Sequence, residues 1–211
     1  MSTRNFVTVF ARLTAAVLCL AVTAGCGGEL LRTGRGPVYL TVVEMLAHNG
    51  ALDEEESVLF SDVLTYVEQT VNGQQVKVPT VFSDTGVATI RVSMKNPTAL
   101  SSDLNSVTIT RYRVDYRRSD GRNTPGSDVP YGFEAGTSAT IGVDEEGEVP
   151  FDLVRHVAKQ EPPLRNLVAN GGQGFIYTTA EVTFYGRDQN GNEIVITGFI
   201  TVNFADFGDP E

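Results

Sequence analysis

The sequence has no tryptophan, only two cysteines and only two histidines. Cys19 and Cys26 both lie in the first 26 residues, so the rest of the chain has no disulfide and no cysteine for a structural zinc site. His48 and His156 have no histidine, cysteine or carboxylate at ligand spacing. We therefore expect His48 to be a turn residue, His156 to be a solvent-facing strand residue, and neither to bind metal or act in catalysis.

Motifs of catalysis are also missing. No GxSxG elbow and no glycine-rich phosphate loop occurs. Two acidic runs, Asp53–Glu56 and Asp144–Glu148, contain paired carboxylates, but contiguous acids in turns are usually solvated. The sequence therefore predicts a protein that is not an enzyme and needs no cofactor.

Long hydrophobic runs are confined to the N-terminus. Arg4 and Arg12 precede and border a ten-residue apolar core, Leu13–Val22, which is too short to span a bilayer and predicts a secretion signal. These arginines are the only charged residues in 1–25, so removing that segment changes the net charge from −10 to −12. Such an acidic surface argues against binding to nucleic acid or to anionic lipid headgroups.

The end of the signal, Thr23-Ala24-Gly25-Cys26, resembles the lipobox of bacterial lipoproteins. In that family the cysteine is lipidated and becomes the new N-terminus, which implies a membrane attachment through Cys26. Gly27 after it is compatible with the outer membrane. Thr23 stands where the family usually has leucine, and cleavage after Ala24, which would release a soluble protein, stays open as the alternative.

The resemblance divides the chain into three parts. Residues 1–25 are the signal peptide, 26–36 are a glycine-containing flexible tether, and 37–211 are the folded domain. The ten residues 27–36 reach about 33 Å when extended, at about 3.3 Å per residue. The expected location is the bacterial cell envelope.

The folded part predicts about eight to ten short strands, at most one short helical turn near Pro162–Leu167, and no βαβ alternation. Ser57–Thr70 fits either a helix or a bent strand, and we favour strand because Asn72-Gly73 suits a tight hairpin turn. Tyr131–Phe133, Thr137–Val143 and Val149–Ala158 are further predicted strands. The fold class predicted is an all-β sandwich of antiparallel strands.

Two segments carry the strongest strand patterns. In Val107–Arg118 one face is predicted to hold Thr108, Thr110, Tyr112, Val114 and Tyr116, with charged residues opposite. Ile176–Gly186 and Glu193–Phe204 form a closing hairpin around Asn190-Gly191. These segments resemble the middle strands and the last two strands of fibronectin type III and immunoglobulin-like domains, which implies that fold and no activity.

One loop has a weak calcium signature. Asp188, Asn190, Asn192 and Glu193 place side-chain oxygens around Gly191, as calcium loops do, but the spacing is not that of an EF-hand. The same residues are those that any tight hairpin selects. A hairpin role is favoured and calcium is the alternative.

Three functions remain open. A non-catalytic binding or structural role would use loops such as Arg122–Val129 and Asp144–Glu148, with a protein or glycan partner. A carbohydrate-binding or hydrolytic module would need an aromatic platform or a histidine beside carboxylates. A subunit of a surface assembly would need an open strand edge. The aromatic candidates, most of which we expect in the core, are Tyr112, Tyr116, Tyr131, Phe133, Tyr177 and Tyr185.

Overall fold

The structure is a computed structural model that describes residues 36–51, 55–169 and 174–207. Cys26, the predicted signal peptide and the predicted tether up to residue 35 lie outside the described residues. Among the residues described, no helix is both long enough and apolar enough to cross a membrane.

The described chain consists mostly of β-strands, which confirms the predicted all-β class. Their bounds are β1 (Val38–His48), β2 (Glu55–Glu56), β3 (Val58–Asp62), β4 (Thr65–Val71), β5 (Gln74–Thr80), β6 (Asp84–Met94), β7 (Val107–Arg117), β8 (Phe133–Ile141), β9 (Glu146–Val154), β10 (Ile176–Asp188) and β11 (Glu193–Ala205). Two short helices, α1 (His156–Lys159) and α2 (Arg165–Ala169), and one 3₁₀ turn at Asp103–Asn105 complete this part of the chain.

Nine of these strands form the two sheets of a sandwich. One sheet has the order β2-β1-β6-β9 and the other has the order β3-β11-β10-β7-β8. The ladders are antiparallel, as predicted, except that β3 pairs with β11 in parallel and makes the second sheet mixed. The remaining strands, β4 and β5, form a separate two-stranded sheet.

Aromatic side chains fill the space between the two sheets. Tyr112 and Phe184 of one sheet lie 5.7 Å and 5.5 Å, ring centroid to centroid, from Phe151 of the other. The two buried tyrosine hydroxyls also join the sheets, because Tyr116 donates to the Leu153 carbonyl at 2.6 Å and Tyr112 accepts the Asp152 N–H at 2.8 Å. Apolar burial and inter-sheet hydrogen bonds therefore stabilise the same interface.

The predicted buried face of β7 is correct only in its second half. Tyr112, Val114 and Tyr116 are buried, but Thr110 is exposed and Thr108 is half-buried. The ladder to β10 shifts register there, since Tyr185 pairs with Arg111 but Gly186 pairs with Ile109, so Thr110 is an extra residue on β7. Because a bulge reverses the alternation before it, Val107 and Ile109 take the buried positions instead of the threonines.

Other boundaries differ from the sequence prediction. The strand predicted over Val149–Ala158 begins at Glu146, inside the acidic run, and stops at Val154, after which α1 begins at His156. The predicted helical turn falls at α2, so the structure has one more short helix than expected. Tyr131–Phe133 and Thr137–Val143 are replaced by the single strand β8.

The ambiguous segment Ser57–Thr70 is strand, as favoured. It contains β3 and the start of β4, and the two-residue turn Asn72-Gly73 joins β4 to β5. Asn72 has a φ of 54° and Gly73 a φ of 81°. Positive φ at both central residues is the signature of the type I′ turn predicted from this dipeptide.

Candidate functional site

The two ends of the sandwich carry different structural elements and different surface residues. Gly36, where the described chain begins, lies against the β10–β11 loop: a methyl group on it would be 3.5 Å from the Asn192 Cβ. We call this the proximal end. β10 runs from Asp188 at the proximal end back to Ile176 at the other, the distal end, and its 13 residues span about 40 Å.

A separate β-hairpin connects β3 to β6 at the distal end. It consists of β4, the Asn72-Gly73 turn and β5, and we call it the arm. In the described residues its strands pair only with each other. Most arm residues are exposed or half-buried, including Val71 and Val76, which are 49% and 43% exposed. A two-stranded sheet is marginally stable by itself, so an additional strand would stabilise the arm.

Four partly exposed rings lie beside the base of the arm, and we call them the aromatic cluster. They are Phe60, Phe175, Tyr177 and Phe207. Phe207 contacts Phe60 at 5.9 Å and Phe175 at 6.1 Å, and Phe175 stacks on Tyr177 at 5.8 Å with an interplanar angle of 10°. Phe60, Phe175 and Tyr177 are 49%, 54% and 61% exposed. A contiguous exposed aromatic surface of this kind is typical of binding sites.

A buried ion pair lies at the distal end, where β6 begins. The Lys159 Nζ contacts both carboxylate oxygens of Asp84, at 3.0 Å and 2.9 Å, and the two side chains are 1% and 0% exposed. Asp84 also accepts hydrogen bonds from the Ser61 hydroxyl at 2.6 Å and the Gly50 N–H at 3.1 Å. Four donor contacts satisfy the carboxylate, so the pair fastens β6, α1 and β3 together.

Two titratable groups near this ion pair have shifted pKa values. Burial raises the pKa of the Tyr116 phenol, and the nearby charge of Asp84 raises it further. Burial also raises the pKa of the Asp62 carboxyl, although hydrogen bonds from the Thr65 hydroxyl and the Phe207 N–H lower it in part. Asp62 thereby joins the base of the arm, at Thr65, to the aromatic cluster, at Phe207.

Both histidines lie at this end. His156, predicted on a strand, is the first residue of α1. The Ser83 hydroxyl accepts its backbone N–H at 3.0 Å and lies 3.3 Å from its Nδ1. This hydrogen bond gives an acceptor to one of the N–H groups that have no partner within the helix at its start. His48 is the last residue of β1, where a turn was predicted, and pairs with Thr85 and Glu55 across the sheet.

The two loops predicted to bind a partner lie at opposite ends. Arg122–Val129 follows β7 at the distal end and is closed on itself: Asp128 accepts the Thr124 N–H at 3.1 Å. Just before it, Asp120 bridges two arginines, and the hydrogen bond from Arg118 is the main reason that its pKa lies below the usual range. Asp144–Glu148 is at the proximal end and is partly strand, since β9 begins at Glu146.

The aromatic candidates divide between core and surface. Tyr112, Tyr116 and Phe133 are buried, as expected for most of them. Tyr131 and Tyr177 are more than half exposed, and Tyr185 is half-buried beneath the guanidinium of Arg111, which lies 3.8 Å from the ring centroid. Only Tyr177 of this set belongs to the aromatic cluster. Its other three members were missed because Phe60 lies in an alternating segment, and Phe175 and Phe207 lie next to polar stretches of the sequence that have no periodicity.

The possible calcium loop has the geometry of a hairpin turn. The Asp188 carboxylate accepts the backbone N–H groups of Asn190 and Asn192 at 3.0 Å and 2.8 Å, and the Asn192 amide at 2.7 Å. Glu193 contacts Arg187 at 2.8 Å instead of the loop centre. In the loop only Gly191 has positive φ, at 83°. The described residues contain no group of three or more histidine, cysteine or acidic side chains arranged to hold a metal ion.

This geometry predicts that Asp188→Ala lowers the free energy of unfolding by about 1–2 kcal/mol, because the loop N–H groups lose their acceptor. We expect the loss in urea unfolding to be the same in calcium and in EDTA. Asp188→Asn, which keeps one acceptor oxygen, should lose less. A wild-type melting temperature that rises with calcium, together with a variant that does not respond, would favour the calcium alternative instead.

Comparison with known proteins adds no relative. No protein-family model matches this sequence, and no curated protein matches it. Function therefore has to be inferred from the described residues and from the sequence of the N-terminal segment.

Proposed function

We propose that this protein is a lipid-anchored, non-catalytic component of the bacterial cell envelope that presents a binding surface away from its membrane anchor. The observation that carries the proposal is the placement of Gly36 at the proximal end while the arm and the aromatic cluster lie at the distal end. A tether attached through Cys26 would then leave the distal end free to meet a partner.

The length of the predicted tether and the length of the domain favour a distal end that faces away from the membrane. The predicted tether reaches about 33 Å at most, and the distal end lies about 40 Å beyond Gly36 along β10. A domain held at its proximal end therefore exposes its distal surface to the space between the membrane and the next layer of the envelope. Gly27 after Cys26 is compatible with the outer membrane, which we propose as its location.

The composition of the distal surface supports binding. Three rings of the aromatic cluster are about half exposed or more, so their apolar faces gain from contact with a partner. The mature chain is strongly acidic, and its cluster is uncharged, which favours a protein or glycan partner over nucleic acid. The contact between Ser83 and His156 supports a non-catalytic protein, because the serine hydroxyl accepts the backbone N–H of His156 at the start of α1 and so has a structural role.

Expression of the full chain in a Gram-negative host tests the anchor. We expect the intact mass of the mature protein to equal residues 26–211 plus acyl chains, and the protein to fractionate with membranes. Cys26→Ser should remove the acyl mass and release the protein from the membrane, because no other cysteine remains in the mature chain.

A second readout tests the direction of the distal end. The purified lipoprotein is reconstituted in phosphatidylcholine vesicles that carry a headgroup quencher, with a fluorophore attached at Gln75 in the arm or at Gln189 in the proximal loop. We expect stronger quenching at Gln189. An unacylated mass beginning near Gly25 would overturn the anchor, and equal quenching at both positions would overturn the orientation.

A further inference from the structure

The arm has one apolar face and one polar face. Val67, Val71, Val76 and Val78 lie on the same face, because Val67 is opposite Val78 and Gln69 is opposite Val76 in the antiparallel ladder. The opposite face carries Glu68 across from Lys77. Three or more strands with a hydrophobic face are needed for an independently stable sheet, so the two strands of the arm fall short of that number.

The two long edges of the arm are not equivalent. The two-residue turn makes Val71 and Gln74 a hydrogen-bonded pair, so every second pair from there bonds inward and the residues between them face outward. On β5 the outward positions include Lys77 and Pro79, and proline has no N–H to donate. Lysine and proline are the residues that close an edge to further pairing. On β4 the outward positions Glu68 and Thr70 keep their N–H and carbonyl groups.

The arm has no net charge, so two copies of it can pair without electrostatic repulsion. The chain carries a net charge of −10, so two copies repel one another over most of their surface. Between Thr65 and Thr80 the only charged residues are Glu68 and Lys77, and the arm is therefore neutral. It also forms a sheet of its own, separate from the two sheets of the sandwich.

We infer that two copies of this protein associate through β4, antiparallel, to form a four-stranded sheet with the order β5-β4-β4-β5. The two-fold axis passes through Gln69. In this register Glu68 faces Thr70 of the second copy, and each of these two pairs forms two backbone hydrogen bonds. Val67 faces Val71 of the second copy at the closer, non-hydrogen-bonded positions, so the valines of both arms form one continuous apolar face.

Neighbouring registers are worse for identifiable reasons. Moving the axis to Glu68 places the two glutamates directly opposite one another, and like charges at opposite positions destabilise a ladder. Moving it to Thr70 places Val67 opposite Gly73 of the second copy and leaves the valines without partners. The axis at Gln69 is the register that satisfies charge and packing together, and a symmetric interface of this type closes as a dimer.

Disulfide trapping in the full chain tests the interface. Gln69→Cys places two thiols across the axis at a non-hydrogen-bonded pair, where Cα atoms lie about 4.5 Å apart and a disulfide can form. We expect a covalent dimer as the main product on non-reducing gels, with the linkage at position 69 identified by peptide mass. The matched control is Gln75→Cys on the closed edge of the same arm, which should stay monomeric, and the unaltered chain reports any background from Cys26.

A proline pair separates edge pairing from general damage. Thr70 and Gln75 are opposite one another, and both are outward positions. Thr70→Pro removes a donor from the open edge and should abolish the Gln69→Cys dimer, whereas Gln75→Pro should leave it unchanged. Absence of the Gln69→Cys dimer, equal linkage at Gln75, or equal effects of the two prolines would overturn the inference. It does not depend on lipidation, so an unacylated protein leaves the test intact.

Discussion

Replacing Lys159 with methionine is expected to lower the free energy of unfolding by about 3–5 kcal/mol. Methionine has a similar length, so the main change is the loss of the ammonium that contacts both oxygens of Asp84. The carboxylate is fully buried and would keep only Ser61 and Gly50 as donors. Removing one partner of a buried ion pair leaves a charge without compensation, which is far more costly than losing an exposed pair. Urea unfolding followed by circular dichroism measures the loss.

Two further variants identify the cause. Asp84→Asn combined with Lys159→Met removes both charges but retains an acceptor for Ser61 and Gly50, and it should be more stable than Lys159→Met alone. Lys77→Met, at an exposed lysine in the arm, should change stability by less than about 0.5 kcal/mol. If Lys159→Met matches Lys77→Met, or if the double variant is the least stable, the buried charge does not determine stability here.

The ion pair could not have been predicted from the sequence. Lys159 and Asp84 are 75 residues apart, and neither lies in a motif. Lys159 ends a segment that alternates like a strand, yet the chain turns into α1 there and directs the side chain under β6. Long-range burial of a charge depends on how several elements meet, and local patterns contain no information about that.

Local alternation, in contrast, predicted the strands whose environment is regular. The closing hairpin and the buried positions Ala88, Ile90 and Val92 of β6 follow the pattern directly. Errors occur where a second effect acts. A bulge at Thr110 reverses the alternation in β7, and β9 starts earlier than expected because Glu146 pairs with Arg91 on the exposed face. A run of charged residues resembles a turn in sequence, although charged residues at every second position fit the outward face of a strand.

The arm shows a different limit of sequence reasoning. Its strands and its turn follow the favoured interpretation of Ser57–Thr70 and Asn72-Gly73, but the sequence did not show that the two strands form a sheet of their own. A hairpin inside a sandwich and a hairpin that pairs with a second protein have the same alternation of apolar and polar residues in their sequences. Pro79 and Lys77 were the available signal, because together they mark one edge as closed and leave the other edge for pairing.

Replacing Phe184 with alanine is the second large effect, with an expected loss of about 3–5 kcal/mol in the free energy of unfolding. Phe184 is fully buried in the middle of β10 and lies 5.5 Å from Phe151 of the facing sheet and 6.4 Å from Tyr112 of the neighbouring strand. Truncation removes apolar burial and leaves a cavity where the two sheets meet, and the flanking rings are held by strand hydrogen bonds that limit their collapse into it.

The exposed Phe199 on the adjacent strand provides the matched comparison. Its ring is 63% exposed, so Phe199→Ala should change the free energy of unfolding by less than about 0.5 kcal/mol. Phe184→Leu, which fills most of the cavity, should lose about 1–1.5 kcal/mol. Equal losses for Phe184→Ala and Phe199→Ala would contradict a core centred on these rings. The expected order of losses, largest for Phe184→Ala, then Phe184→Leu, then Phe199→Ala, requires that stability follows burial at the inter-sheet interface. That interface includes β10, the strand that spans the distance of about 40 Å between the proximal and distal ends.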